Sequence, residues 1–364
     1  MQAECVGAKE AIMNRLFFVA ALAGLTMLLA SGAASSREIT YSVDCSKRQT
    51  ISGAIDRGDA RAQLVLRIKG TCNESVLIER YNVELLGDPE AGATIEAPEG
   101  SPYAVAVEGH GVTLENLTII GGNHGVRNSG AFRMTIRNCL IQDAVVDGIR
   151  VFVGDVRVQE TKIQGAGENG LRIMRGGSVA MSNSQILDNA RDGIYAEQNA
   201  AITANNNTIS GNRSNGVTLH SASQGDFGGN EITRNQGTGL LVQAGSTADI
   251  DDNTIFENQG DGIIGYLGAT LVLHGNDVTG NWGSGLVGNA HSTIQVGGAH
   301  ISSNLGDGIV MVLGSKLILE DPATEVFLNG NYGVWCGDDE SSVNEPVLLN
   351  TWGNTAGEIY CTGF

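Results

Sequence analysis

Residues 192 to 239 read DGIYAEQNAAITANNNTISGNRSNGVTLHSASQGDFGGNEITRNQGTG. A small or polar residue, a glycine and an aliphatic residue follow one another at Asp192-Gly193-Ile194, at Asn215-Gly216-Val217 and at Thr238-Gly239-Leu240, so the glycines fall 23 residues apart. The triplet continues upstream through Asn169-Gly170-Leu171, Asp147-Gly148-Ile149 and His124-Gly125-Val126. Downstream it runs through Asp261-Gly262-Ile263, Ser284-Gly285-Leu286, Asp307-Gly308-Ile309 and Tyr332-Gly333-Val334, with glycine spacings of 22 to 25 throughout. A second marker keeps step at Ile119, Ile141, Ile163, Ile186, Ile209, Ile232, Ile255, Val278 and Ile301. Three residues after it stands an asparagine column, Asn189, Asn212, Asn235, Asn258, Asn281 and Asn304; two residues before it stands another, Asn207, Asn230, Asn253 and Asn276.

A repeat of this length suits either a leucine-rich repeat or a β-solenoid. The leucine-rich pattern needs several leucines and a helical outer segment, whereas here Ile and Val alternate and Gly, Asn and Asp mark the corners. Alternation places every second side chain of a strand on one face. Ala248, Ile250, Ile255 and Ile263 are therefore expected to point inward, with a bend near Asp252 and a turn at Asp261-Gly262. Three short strands fill each repeat. Stacked about 4.8 Å apart, the coils superpose like residues into columns: aliphatics build a core, and buried asparagines bond one another and the bend backbone. Gly, with Asn or Asp before it, is expected to supply left-handed corners.

The composition agrees. Among 364 residues there are 51 Gly and 5 Pro, with 41% hydrophobic and 17% charged residues, which excludes collagen, Pro-rich linkers and a disordered chain. A net charge of −18 is the wrong sign for phosphate contacts or an anionic membrane surface, so no nucleic-acid partner is expected. Met13-Asn14-Arg15, the apolar run Leu16–Ala30 and the small residues after it read as a secretory signal peptide over 1–34, with the start at Met1 or Met13 left open. Nothing later is apolar for long enough to span a bilayer. A secreted or periplasmic chain can hold disulfides, and the simplest pairing is Cys45–Cys72 and Cys336–Cys361, one at each end. Cys139 shares a column with Leu117, Thr161 and Ser184 and is expected to be a buried thiol.

The D-G-I and N-x-I pattern with its asparagine columns resembles the right-handed parallel β-helix proteins of the pectate-lyase-like superfamily, most clearly over 101–335. The stretch Thr50–Asp56, followed by Leu64–Gly70, resembles the helix and first strand with which such chains begin. The resemblance implies an all-β fold: a single right-handed parallel β-helix over 61–335, an N-terminal cap with a helix over 35–60, and a C-terminal cap over 336–364. It also implies that a polysaccharide site would lie on the strand following each D-G, whose outward residues are two and four after the Gly.

Those positions carry Arg150, Arg172, Tyr195, Glu197, His220, Gln243 and Tyr266, the candidates for binding a sugar chain. Arginines fork onto carboxylates, and Glu197 and His220 on neighbouring coils are the candidate acid/base pair. Specific enzyme signatures are not met. Arg67-Ile68-Lys69 and Gly109-His110-Gly111 stand in reverse order relative to polygalacturonase-like hydrolases, and Asp88-Pro89 is followed by Glu90 where mannuronan epimerases carry D-P-H. Coils from 148 to 308 show almost no insertions, which suits a binding or structural rod better than a walled cleft. Asp226, Asp249, Asp251 and His274, outward neighbours on another face, are candidate metal ligands, with Ca2+ the cation that such oxygens favour. The function expected is binding of extracellular or cell-wall polysaccharide, an acidic one in the case of the arginine face, by an exported monomer. A polysaccharide lyase, hydrolase or epimerase and a non-catalytic structural or adhesive rod are the alternatives.

Overall fold

The computed structural model describes residues 37–361; the signal-peptide stretch 1–34 lies outside them. Each coil supplies one strand to each of three parallel sheets, here called faces A, B and C. In the coil beginning at Ala201 these are Ala201–Asn205, Thr208–Ser210 and Val217–His220. Every strand pairs in parallel with the equivalent strand one coil on, as in Ala201↔Gln224, Thr208↔Glu231 and Val217↔Leu240. Face C stacks 13 strands. Faces A and B are continuous through the strand Gln63–Asn73, whose first half pairs in A and second half in B.

Alternation determines which side chains enter. Ile202, Ala204, Ile209, Val217 and Leu219 are buried, and so are Ala248, Ile250, Ile255 and Ile263 as their spacing predicts. Left-handed bends separate the faces, at Asn206, Gly211 and Ser221 in one coil and at Asp252 in a later one. The glycine of the D-G triplet is not among these bends, which corrects the expectation of a left-handed corner there. Its reason is close approach: a Cβ on Gly216 would sit 2.5 Å from the Ile232 γ-methyl and 2.6 Å from the Gly239 carbonyl oxygen. The marker isoleucine of one coil thus needs the absence of a side chain on the glycine beside it.

Both asparagine columns are buried ladders. The Asn235 amide donates to Asn258 Oδ1 (3.0 Å) and to the Ile209 carbonyl (3.1 Å), and the Asn235 backbone N–H donates to the same Oδ1 (3.1 Å). This ladder continues through Asn281 and Asn304 to Asn329 and Asn354. In the other column Asn207, Asn230, Asn253 and Asn276 bond alike, and Ser184, Thr161 and Cys139 extend it upstream through backbone N–H donors. Cys139 is a buried free thiol, and burial pushes its pKa up to about 11.

The N-terminal end of the core is closed by the helix Ile51–Arg57. Thr50 caps it by accepting from the Gly53 N–H, and Glu74 accepts from the Ile51 and Ser52 N–H groups, so the first-turn donors are met. Ile51, Ala54 and Ile55 face the core. The disulfide Cys45–Cys72 ties this cap to the first coils. At the other end, Ser342–Asn344, Leu349–Trp352 and Gly357–Tyr360 add one strand to each face in register, so the non-repetitive residues 337–361 build one more coil. Cys336–Cys361 ties it down. Among the described residues no helix is long and apolar enough to cross a membrane.

Candidate functional site

On face C the residue two after each glycine points outward, and register stacks these residues into one row. Arg127, Arg150, Arg172, Tyr195, Thr218, Leu241, Ile264, Val287, Val310 and Trp335 are successive partners. The residue four after forms a second row containing Phe152, Met174, Glu197 and His220, with Gln243 and Tyr266 paired further along. Arg150, Arg172, Tyr195 and Glu197 are therefore contiguous. Gln243 and Tyr266 stand one and two coils beyond His220, beside aliphatic neighbours.

The three arginines differ in what they bind. Arg172 is held by Glu197, at 2.6 Å through Nη2 and 3.2 Å through Nε, and lies over the Tyr195 ring. Arg127 lies 3.5 Å from a Glu108 oxygen and over the Tyr103 ring. Arg150 meets no carboxylate among the described residues: Nη1 is 3.0 Å from His124 Nε2, and Nη2 points to the Met174 sulfur. Beside them a shallow depression is lined by Asn169, Arg172, Arg191, Asp192, Tyr195 and Ser214.

Beneath Arg150 lies a buried group. His124 is 8% and Asp147 0% exposed. Asn169 donates to Asp147 Oδ1 (3.0 Å), while Asp147 Oδ2 faces His124 Nδ1 at 3.6 Å, and neither of these two atoms has another partner. Burial, and then the nearby Arg150, Arg127 and Arg172, lower the His124 pKa to about 4. Burial raises that of Asp147. At Asp192, Asp261 and Asp307 the corner carboxylate accepts a backbone N–H from the next coil through Oδ1, from Asn215, Ser284 and Tyr332 respectively.

Glu197 and His220 are strand partners on neighbouring coils, but their side chains are engaged elsewhere, Glu197 by Arg172 and His220 by the Ser221 hydroxyl. Sequence reasoning missed Arg127 and His124. The rule that gives Arg150 gives Arg127 one coil earlier, from Gly125; nothing in the spacing signals the His124–Arg150 contact.

On face A, Asp226 pairs with Asp249 and Asp251 with His274. Ligand atoms of Asp249, Asp251 and His274 lie within 4.8 Å of one another, and Asp226 stays outside that group. Two carboxylates offer far fewer oxygens than the six to eight that calcium takes. His274 already bridges Asp251 (3.2 Å) and Glu320 (3.6 Å) across the small Gly297 between them.

The fold and its stacked columns define a right-handed parallel β-solenoid. The chain belongs to the family described as the right handed beta helix region, whose profile matches residues 99–225 and 192–347. Among solved structures it is similar to the catalytic unit of a thermostable GH87 α-1,3-glucanase from Streptomyces thermodiastaticus strain HF3-3, at 15% identity and a TM-score of 0.70, over 91% of this chain and 72% of that one. It is also similar to the A-module of the mannuronan C-5 epimerase AlgE4 of Azotobacter vinelandii (16% identity, TM-score 0.62, 86% of this chain and 93% of that one). A third is the periplasmic alginate epimerase AlgG (12% identity, TM-score 0.51, 88% of this chain and 85% of that one). At these identities the likeness is one of fold. No curated protein matches the chain in sequence.

Proposed function

We propose that this is an exported protein that binds an acidic polysaccharide along the arginine end of face C. The observation that carries the reading is the row Arg127, Arg150 and Arg172, in which Arg150 has no carboxylate partner among the described residues, inside a chain of net charge −18. Beyond residue 230 the only Lys or Arg residues are Arg234 and Lys316, so an anionic chain is repelled far less at the arginine end than along the late coils. Arg150 offers a planar fork suited to a uronate carboxylate, and Tyr195 offers a ring beside it. The coil repeat of about 4.8 Å lets an extended ligand lie along the row. The two disulfides favour an oxidising compartment. The reading is supported by structural neighbours named as an α-1,3-glucanase and as mannuronan and alginate epimerases, one of them periplasmic. Glu197 and His220, already engaged by other side chains, favour binding over acid/base chemistry at this face.

The test is titration of uronate oligosaccharides against wild type, Arg150→Ala and the Arg150→Ala/Arg172→Ala double variant. A charged hydrogen bond is worth about 1.5–3 kcal/mol, so Arg150→Ala is expected to weaken binding roughly tenfold or more, and the double variant further. Added salt weakens wild-type binding. Equal affinities across the three proteins would reject the site, and product analysis of the same mixtures would reveal any turnover.

A further inference from the structure

Arg150 is presented to solvent by a buried relay whose logic follows from which atoms can donate. A guanidinium only donates, so at 3.0 Å from Arg150 Nη1 the His124 Nε2 must be the acceptor and carry no proton. A neutral imidazole then bears its proton on Nδ1, which is buried without a hydrogen-bond partner and faces Asp147 Oδ2, itself buried and unpartnered, at 3.6 Å. A buried donor and a buried acceptor left unmade are both costly, and a shift of well under an ångström joins them. Asp147 Oδ1 is held by the Asn169 amide, which leaves Oδ2 to face the imidazole; at Asp192, Asp261 and Asp307 Oδ1 accepts a backbone N–H from the next coil.

We propose that Asp147 and His124 are positioning residues: Asp147 accepts the His124 Nδ1 proton, fixes the imidazole in the tautomer with a bare Nε2, and so holds the Arg150 fork in place for a carboxylate. This rests on the binding reading above but predicts a property of the ligand-free protein. In wild type labelled with 15N, the His124 imidazole signals will show a protonated Nδ1 and an unprotonated Nε2 at pH 7, with a slowly exchanging Nδ1 proton. Asp147→Asn keeps the oxygen that Asn169 bonds and puts an amide donor against Nδ1. It will reverse the tautomer, place a proton between Nε2 and Arg150, and weaken uronate binding about tenfold. His124→Gln, which can still offer Arg150 an acceptor, will bind uronate within about threefold of wild type. Asp307→Asn, far along the corner column, will change neither tautomer nor affinity. A protonated Nε2 in wild type, a rapidly exchanging Nδ1 proton, or an Asp147→Asn tautomer identical to wild type would overturn the proposal. If Asp147→Asn does not fold, the wild-type signals and His124→Gln decide. If wild type binds no uronate while His124 shows the predicted tautomer and exchange, the function fails and the relay stands.

Discussion

His124 carries a cost linked to protons. Its pKa is near 4 in the folded chain and near 6.5 when unfolded, because burial and three arginines oppose its charge. Between those values the unfolded state binds about one more proton than the folded state at this residue, so its contribution favours folding less as the pH falls from about 6.5 to about 4. Above 6.5 the imidazole is neutral in both states and the penalty vanishes. His124→Gln removes the titration, so its unfolding free energy in urea should depend on pH more weakly than wild type across that window, by a slope of about one proton. Identical slopes would show that His124 titrates alike in both states. At this scale the sequence was half legible. The D-G glycine was plain as a marker, but sequence cannot distinguish a residue needed for its backbone angle from one needed because Ile232 and Gly239 leave no room for a Cβ. The His124–Arg150 bond joins two repeat positions that periodicity treats separately, so only the folded coil shows it.

Within the strands and their ladders the reading was nearly complete. Aliphatic positions are constrained by burial on every coil, and stacking repeats the constraint at a fixed interval, so the period survives in the letters. The asparagine columns were legible because a buried amide at a bend needs the same amide above and below it. Asn258 shows what that need is worth. It accepts from the Asn235 backbone N–H and amide and donates to the Ile232 carbonyl and to Asn281. Asn258→Leu would leave the Asn235 N–H buried without its acceptor and deprive three other groups, the Asn235 amide, the Ile232 carbonyl and Asn281 Oδ1, of a partner. At about 1–3 kcal/mol for a fully orphaned group, a loss of roughly 3 kcal/mol is expected, read as a lower urea midpoint. An exposed control, Thr254→Ala on the strand Thr254–Phe256, should move it by much less. The outward rows of face C were equally legible in position, yet their pairing was not: register placed Glu197 beside His220, while side-chain length and charge gave Glu197 to Arg172.

For the whole molecule, the solenoid differs at its two ends. A helix closes one, and a final coil with three edge strands forms the other. Because each coil touches only its neighbours, loss of stability at an end stays local. Replacing Cys336 and Cys361 by serine should therefore raise hydrogen exchange over residues 342–360 and leave the coils around Asn235 as protected as before. The cost in the last coil is about 2–4 kcal/mol, as for other disulfide loops of this size. Uniform loss of protection along the chain would mean that the solenoid unfolds as one unit. The long asparagine column has a further property, that of a one-way wire. From Asn189 onward each amide gives one of its two protons to the next asparagine toward the C-terminus, so along the column the amide dipoles add instead of cancelling and polarise one another. At the last rung the Asn354 amide finds no further asparagine and gives its proton to the Glu358 carboxylate at 2.7 Å. A negative charge thus terminates the donor end of the column, as an acid does at the start of a helix.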